Sequence, residues 1–391
     1  MVKAKGKHAW IGGVVLLFLL PVVTLVLPWI FKSSYTRALP QEEFLGVTEE
    51  VDEYVAAHVA TPNPVKALYM TACVAGTPSW RMSLKNTVET TELNAIVIDI
   101  KDYTGTITFP NDLPKLSGQK GCTVSDLQEF IAELHQSNIY VIGRISVFQD
   151  LSYSTLHPEL AVKSFSTGGV WKDGKGISFI DVGAKPYWDY ILDISKKSYA
   201  LGFDELNYDY VRYPSDGNMK DANYTWMTAS STKALMLESF FSYLHENMKN
   251  VGAVTSVDIF GMTTTVTNDM GIGQVLEKAL PYFDYVAPMV YPSHYPQHWN
   301  GFANPADHPY EVINIAMSGG RSREVALNIS NGLATSTPSK LRAWIQDFDL
   351  GADYDAAKIQ AQIKGNYDAD VPSWMLWSAA NKYTVEALLP E

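Results

Sequence analysis

Short apolar runs alternate with longer amphipathic segments from Lys66 to the end of the chain. The apolar side chains within each run are nearly continuous, which is typical of strands that are buried on both faces of a parallel sheet. The pattern predicts eight strands, at residues 66–73, 95–100, 139–145, 204–209, 254–260, 285–290, 342–347 and 374–378.

Several of the segments between these strands have helical periodicity: residues 124–137, 188–201, 231–249 and 272–282. Thr123 is the expected N-cap of the first one. Strands that alternate with helices favour right-handed βαβ units, and eight such units make a closed barrel. We therefore predict an α/β fold, a (β/α)8 TIM barrel over residues 65–391. No glycine-rich phosphate-binding turn follows the first strand, which disfavours a dinucleotide-binding sheet.

The first 32 residues have the features of a membrane anchor. An uncharged apolar run over residues 9–31 follows Lys3, Lys5 and Lys7, and at about 1.5 Å per residue it is long enough to cross a bilayer as a transmembrane helix. The lysines place the N-terminus in the cytoplasm and the barrel outside the cell membrane. The alternative is a cleaved signal peptide, but its apolar core is normally only about 7–15 residues long. Residues 33–64, rich in acids and prolines, are predicted to be a linker.

Composition and charge narrow the classes of partner. The 391 residues are 47% hydrophobic, which is enough for a large core, and they carry a formal charge of −12. Residues 1–32 hold Lys3, Lys5, Lys7 and Lys32 and no acid, so subtracting these four charges leaves −16 for the rest. A strongly acidic domain disfavours nucleic acid as a partner. Cys73 and Cys122 either form one disulfide or are two separate small core residues.

Polar and aromatic residues recur where the predicted strands end, and the functional site of such a barrel lies at that edge. Three of the strand ends carry acids, and several carry a cation or an aromatic ring. In chain order the candidates are Asp99, Asp102, Arg144, Tyr208, Asp209, Arg212, Asp258, Met289, Tyr291, His294, Asp347 and Trp377.

Asp209 and Asp258 form the best candidate catalytic pair, because they lie at matching points on neighbouring strands. Cleavage of a glycosidic bond needs one carboxyl group to protonate the leaving oxygen and a second to attack or to activate water. Arg144 and Arg212 could keep one acid ionised while the other has a raised pKa.

Most of these acids could also have a purely structural role. Asp99 either pairs with Arg144 or contacts substrate, and Asp258 could instead cap the loop that follows it, since Gly261 lies close behind. Asp102 lies one polar step beyond its strand and has the weakest claim. Asp204 and Glu205 are at the start of their strand and are expected to form ion pairs or caps.

The segment 291–299 is predicted to be an aromatic loop at the mouth of the barrel, with Tyr291, Tyr295 and Trp299 as sugar-stacking candidates. His294 and His298 have a spacing of four residues, but two prolines prevent a regular helix, so no metal site is expected. No Gly-x-Ser-x-Gly motif is present. The sequence indicates no metal and no other cofactor.

The strand-end motifs together resemble a known family. Residues 202–214 and 94–102 are similar to the bacterial family of glycoside hydrolase-like TIM-barrel domains, as are 257–261, 288–295 and 344–348; the likeness covers about residues 66–380. This family is more distantly similar to α-amylase and α-galactosidase barrels, whose fourth-strand acid is the nucleophile. The resemblance implies that Asp209 is the nucleophile and Asp258 the acid/base, although α-amylases usually have Glu at the latter position.

Two functions remain at this point. The first is a membrane-anchored, extracytoplasmic glycoside hydrolase that acts on an envelope, capsule or other polysaccharide. The alternative is a non-catalytic glycan-binding barrel at the cell surface, which would need aromatics and hydrogen-bonding groups but no pair of carboxylates. A polysaccharide deacetylase would require a metal-binding His/Asp set, and the sequence shows none.

Overall fold

The computed structural model of the protein describes residues 55–112 and 121–390. All eight predicted strands are confirmed, and each pairs in parallel with its neighbours in chain order, the first also with the last, to close a barrel. The strands are β1 (Lys66–Met70), β2 (Ala95–Lys101), β3 (Tyr140–Ser146), β4 (Glu205–Asp209), β5 (Val254–Phe260), β6 (Tyr285–Met289), β7 (Ala343–Gln346) and β8 (Trp374–Trp377).

Helices surround the barrel, and a large apolar cluster between helices and strands forms the outer core. A second cluster, which includes Val97, Ile142, Trp344 and Met375, fills the barrel interior. The helices are α1 (Ala72–Ala75), α2 (Pro78–Glu89), α3 (Leu127–Gln136), α4 (Leu151–Leu156), α5 (Lys185–Leu201), α6 (Lys233–Met248), α7 (Leu276–Ala279), α8 (Pro309–Ser330) and α9 (Ala356–Asp368).

Three of the four predicted helices are confirmed as α3, α5 and α6, with small shifts in their ends. The prediction for residues 272–282 is wrong over most of its length, because Gly273 has a φ of +88° and only the four residues of α7 are helical. Thr123 is not an N-cap. The amide of Val124 donates to the carbonyl of Thr108 (2.6 Å), which holds the chain in a loop until Asp126 precedes α3.

The N-terminal face of the barrel is closed by buried ionic contacts. Glu205 and Arg342 form an ion pair of 2.7 Å, and Asp204 accepts from the amide of Val141 (2.8 Å), as expected for acids at the start of a strand. Residues 55–64, within the predicted linker, pack on this face: the Val59 amide donates to Asp204 (2.7 Å).

Cys73 and Cys122 form a disulfide, which selects the first of the two alternatives for the cysteines. The bond joins α1, directly after β1, to the segment between β2 and α3. No helix within residues 55–112 and 121–390 is both long and apolar enough to span a bilayer. The predicted anchor at residues 1–32 lies outside the described residues.

Candidate active site

A cavity of about 360 Å³ opens where the strands of the barrel end. Its walls come from six strands, β3 to β8, and from the loops that follow them. Nine of the residues predicted from the sequence line it: Arg144, Asp209, Arg212, Asp258, Met289, Tyr291, His294, Tyr295 and Trp377.

Asp209 is the last residue of β4 and is held by an arginine from the neighbouring strand. The Nε of Arg144 donates to Oδ2 of Asp209 (3.0 Å), and Nη2 donates to the same oxygen. The remaining Nη1 donates to Oδ1 of Asp99 (2.6 Å). Burial disfavours the charged form of Arg144, but the carboxylates of Asp209 and Asp99 raise its pKa well above the ordinary value. The guanidinium therefore stays charged between two buried acids.

The backbone after Asp209 turns sharply and fixes the other carboxylate oxygen. Tyr210 has a φ of +52°, a left-handed conformation that is uncommon for a large side chain. Its amide donates to Oδ1 of Asp209 (2.5 Å). Strained backbone of this kind is concentrated at functional sites. Every oxygen of Asp209 thus has a fixed donor, and the carboxylate has a defined orientation at the cavity wall.

Asp258 on β5 has a different environment. Asn207 Nδ2 and Trp344 Nε1 both donate to its Oδ1, at 2.9 and 2.8 Å, whereas no hydrogen bond to Oδ2 comes from the described residues. Burial raises the pKa of Asp258 well above the ordinary value, and the nearby charge of Asp209 adds to the shift. The two donors and Arg144 oppose the shift without cancelling it. Oδ2 is therefore the oxygen free to carry a proton and offer it to a ligand.

Aromatic rings form the other walls. Trp377 stacks on Tyr69 with 4.1 Å between ring centroids and meets Trp344 edge-on at 5.5 Å. The guanidinium of Arg144 lies 5.1 Å from the Trp377 ring. His294 packs edge-on against Tyr291 at 5.2 Å, and burial lowers its pKa, so it is neutral at pH 7. Flat apolar walls with a few fixed polar groups are typical of small-ligand sites.

Arg212 lies on the opposite wall and differs from the other arginines. Its Nη1 donates to the carbonyl of Tyr213 (3.1 Å) and to Ser215 Oγ (3.2 Å). Its guanidinium packs 5.0 Å from the Phe260 ring and 5.3 Å from that of Tyr210. Burial lowers its pKa, because no carboxylate of the described chain forms an ion pair with it.

Four of the candidates predicted at the strand ends lie outside the cavity lining, and two of these face other parts of the barrel. Asp99 is behind Arg144 and accepts from Tyr69 OH (2.5 Å), so its contact is with the arginine. Tyr208 is adjacent to Asp209 on β4, and successive side chains of a strand point to opposite faces. Its hydroxyl therefore faces α5 and donates to Ser195 Oγ (3.0 Å).

The other two residues are used within loops. Asp102 accepts from the amides of Thr104 (2.9 Å) and Thr106 (3.3 Å), closing the turn after β2. Asp347 accepts from the amide and the hydroxyl of Thr384, at 2.9 and 2.8 Å, and so ties β7 to the C-terminal segment. Both carboxylates accept hydrogen bonds from loop residues of the chain, so we do not assign them to substrate contact.

Several residues of the site were not singled out from the sequence. Asn207 is two positions before Asp209 and therefore on the same face of β4, a period-two signal that could have identified it. Trp344 gives no such signal, because its partner Asp258 lies 86 residues away in the chain. Trp299, in contrast, was predicted as a sugar-stacking ring but does not line the cavity; it packs behind Tyr295, with 4.4 Å between ring centroids. Within residues 55–112 and 121–390, no three His, Cys, Asp or Glu side chains are grouped to hold a metal ion.

Residues 67–383 match the family described as "Putative glycosyl hydrolase domain". No curated protein matches the sequence. Among solved structures, a hypothetical protein from Ruminiclostridium thermocellum ATCC 27405 is 31% identical, covering 49% of this chain and 96% of its own, with a TM-score of 0.44. The PgaB (BpsB) glycoside hydrolase domain from Bordetella bronchiseptica is 14% identical, covering 83% of this chain and 98% of its own, with a TM-score of 0.59. Alpha-L-fucosidase isoenzyme 2 from Paenibacillus thiaminolyticus is 10% identical, covering 83% of this chain and 48% of its own, with a TM-score of 0.55. The last two share the barrel fold with this chain.

Proposed function

The chain belongs to this family of glycosyl hydrolase domains, and from that membership we propose that its barrel hydrolyses a polysaccharide with Asp209 and Asp258 as the catalytic pair. One observation carries the assignment. Two carboxyl groups on neighbouring strands line one cavity, and their surroundings differ: Asp209 is paired with Arg144, while Asp258 has no cation as a hydrogen-bond partner and a raised pKa. Carboxyl groups whose environments separate their protonation are the basis of acid/base catalysis on sugars.

Asp258 is the general acid of the proposal. Because burial and the charge of Asp209 raise its pKa, it keeps its proton at a pH where an ordinary aspartate would lose it. Its Oδ2 has no protein partner and can give that proton to the glycosidic oxygen. Asn207 and Trp344 hold Oδ1 and so fix the plane of the carboxyl group.

Asp209 acts on the anomeric carbon. Arg144 and the Tyr210 amide orient its carboxylate, and the same contacts stabilise its negative charge. Direct attack by Asp209 gives a covalent intermediate and retention, whereas activation of a water gives inversion. The rings of Trp377 and Tyr291 offer apolar faces against which a pyranose ring can pack.

The proposed location is the outer side of the cell membrane, with residues 1–32 as the anchor. The lysine-flanked apolar run at residues 9–31 supports it. The Cys73–Cys122 disulfide also supports it, because such bonds persist mainly in oxidising compartments. Protease treatment of intact cells that carry a C-terminally tagged chain tests the location. We expect loss of the tag without lysis, and protection until lysis would contradict it.

The activity is tested by comparing the full chain with Asp209→Asn on a panel of envelope, capsular and storage polysaccharides, following new reducing ends. We expect cleavage of at least one polymer by the wild type and a loss of about 10³-fold or more in the variant. Asp353→Asn is the matched control, because Asp353 is exposed and its carboxylate makes no hydrogen bond to the described chain. Binding without cleavage, equal in wild type and Asp209→Asn, would contradict the proposal and favour a glycan-binding barrel.

A further inference from the structure

A second cleft, of about 330 Å³, adjoins the cavity of the proposed catalytic pair. The two spaces share Tyr210 and Arg212, the residues that follow Asp209 in the chain. The cleft extends to the side of the barrel where the loops after β2, β3 and β4 lie, and its other walls include Tyr103, Gln149, Ile177 and Phe179.

Gln149 lines the cleft with a side-chain amide that has no partner within the described chain. Only 6% of its surface is exposed, and its amide forms no hydrogen bond with any of the residues that the structure describes. The amide is not sealed off from the cleft, so its oxygen and nitrogen can bond to water or to a ligand that fills the cleft. Its position in the wall makes it a hydrogen-bonding group for a ligand in the cleft.

Arg212 offers further unused donors at the junction of the two spaces. Only Nη1 of its guanidinium is hydrogen-bonded within the described chain. The guanidinium lies 5.7 Å from the ring of Phe179, which lines the cleft, and 5.0 Å from the ring of Phe260, which lines the cavity. Arg212 is thus fixed in place with Nε and Nη2 available to a ligand that crosses from one space to the other.

The charges of the cleft indicate which ligand fits. Arg212 and Lys175 are balanced by Asp173 and Asp216, which act electrostatically on Arg212 without forming an ion pair with it. An anionic group would gain from Arg212 but would be repelled by the two carboxylates. An uncharged ring with several hydroxyls can use both donors and acceptors, and Tyr103, with 47% of its surface exposed, offers it an aromatic face.

We propose that the second cleft is a binding subsite for an uncharged sugar unit of the substrate chain, so that the enzyme acts on oligosaccharides and polysaccharides that span both spaces. This rests on the proposed function, because the scissile bond lies in the first cavity. The chain crosses Tyr210 and Arg212 and reaches the cleft with a neighbouring unit. Contacts made there are remote from the reacting bond, and such binding energy raises the rate on long substrates above that on short ones.

The test uses oligosaccharides of two to six units prepared from the neutral polymer that the full chain cleaves best. We expect kcat/KM to rise with length. Gln149→Ala and Tyr103→Ala should lower it for the hexasaccharide about ten-fold more than for the disaccharide. The controls are Gln136→Ala and Phe165→Ala, at exposed positions that line neither space. Equal losses on both substrates, or none, would overturn the proposal.

A binding measurement separates this proposal from the proposed catalysis. The Asp209→Asn protein is titrated with neutral hexasaccharides of glucose, galactose and N-acetylglucosamine and with a uronic acid hexasaccharide, with and without Gln149→Ala. Binding of a neutral probe that Gln149→Ala weakens about ten-fold supports the subsite even if no polymer is cleaved. Binding of the uronic acid probe alone, or of no neutral probe, would overturn it whether or not cleavage is seen.

Discussion

Arg144 donates two hydrogen bonds to a single oxygen of Asp209, from Nε at 3.0 Å and from Nη2. Both residues are nearly fully buried, and the same guanidinium also binds Asp99. The pair therefore fixes the orientation and the charge of the carboxylate that the proposed mechanism places against the anomeric carbon.

Replacing this arginine tests the pair. We expect Arg144→Met to lower kcat about 10²-fold or more, since Asp209 loses its orientation, and to destabilise the fold by about 3–5 kcal/mol because two buried acids lose their cation. Arg144→Lys should retain part of the stability but little of the activity, because an ammonium group cannot make the paired contacts. Initial rates and thermal unfolding measure the two effects. The control is Arg81→Met, which breaks an ion pair with Asp126 away from the cavity and should leave kcat unchanged. Full activity of Arg144→Met would contradict the role of Arg144 in orienting Asp209.

The pH dependence of the reaction should report the proton on Asp258. Its raised pKa makes the protonated acid the active form, so kcat/KM should fall as pH rises through that pKa. The hydrogen bond from Trp344 Nε1 lowers this pKa, and Trp344→Phe removes it. We therefore expect the basic limb of the pH–rate profile to move to higher pH in the variant. Trp374→Phe, which alters a buried tryptophan at the other end of the barrel, is the control. A basic limb that stays in place or moves down would contradict the role of Asp258.

The stability of the fold should also depend on the proton of Asp258. Folded Asp258 binds its proton up to a higher pH than the unfolded chain, whose aspartates titrate at about 3.9. Its contribution to stability is therefore full below that value and is lost as pH rises through the folded pKa. An asparagine at position 258 does not ionise, so its stability contribution is not lost as the pH rises, and its side-chain oxygen can still accept from Asn207 and Trp344. We expect Asp258→Asn to be inactive on polymers yet to melt above the wild type at pH 7, by about 2–4 °C per kcal/mol regained, with the difference shrinking at pH 4.

Thermal unfolding at the two pH values checks this expectation. The control is Asp353→Asn, which removes an exposed carboxylate and nothing else. Asp284→Asn is unsuitable, because Asp284 accepts a hydrogen bond from the amide of Thr255 at the start of β5. A lower melting temperature for Asp258→Asn at pH 7 would show that the site carries an ionised aspartate.

The strands of the barrel were predictable because burial on both faces requires nearly continuous apolar runs, as in β2 and β3. The carboxyl ends of parallel strands share one rim, so the position of Asp209 and Asp258 followed from the strands alone. The alternation of side chains along β4 also shows that Asn207 and Asp209 face inward while Tyr208 faces outward. Applied to the sequence, this rule would have placed Asn207 in the predicted site and left Tyr208 out.

Other features depend on contacts that the local sequence does not contain. Helix α8 carries adjacent glycines in its middle, which weaken its helical pattern. The structure explains both of them, because a Cβ at Gly319 would lie 3.1 Å from the carbonyl oxygen of Thr264 and one at Gly320 would lie 3.2 Å from the side chain of Thr264. Asp347 resembles a catalytic acid at the end of a strand until Thr384, 37 residues further on, occupies both of its oxygens. The contact of Trp344 with Asp258 likewise depends on the closure of the barrel.

The most direct test of the two carboxylate roles compares Asp258→Asn and Asp209→Asn on two substrates of the same sugar, its polymer and an aryl glycoside with a good leaving group. A good leaving group departs without a proton, so Asp258→Asn should lose about 10³-fold on the polymer but far less on the aryl glycoside, whereas Asp209→Asn should lose activity on both. Release of the aryl group and of reducing ends measures the four rates. Equal losses by Asp258→Asn on the two substrates, or full activity of Asp209→Asn on either, would contradict the account.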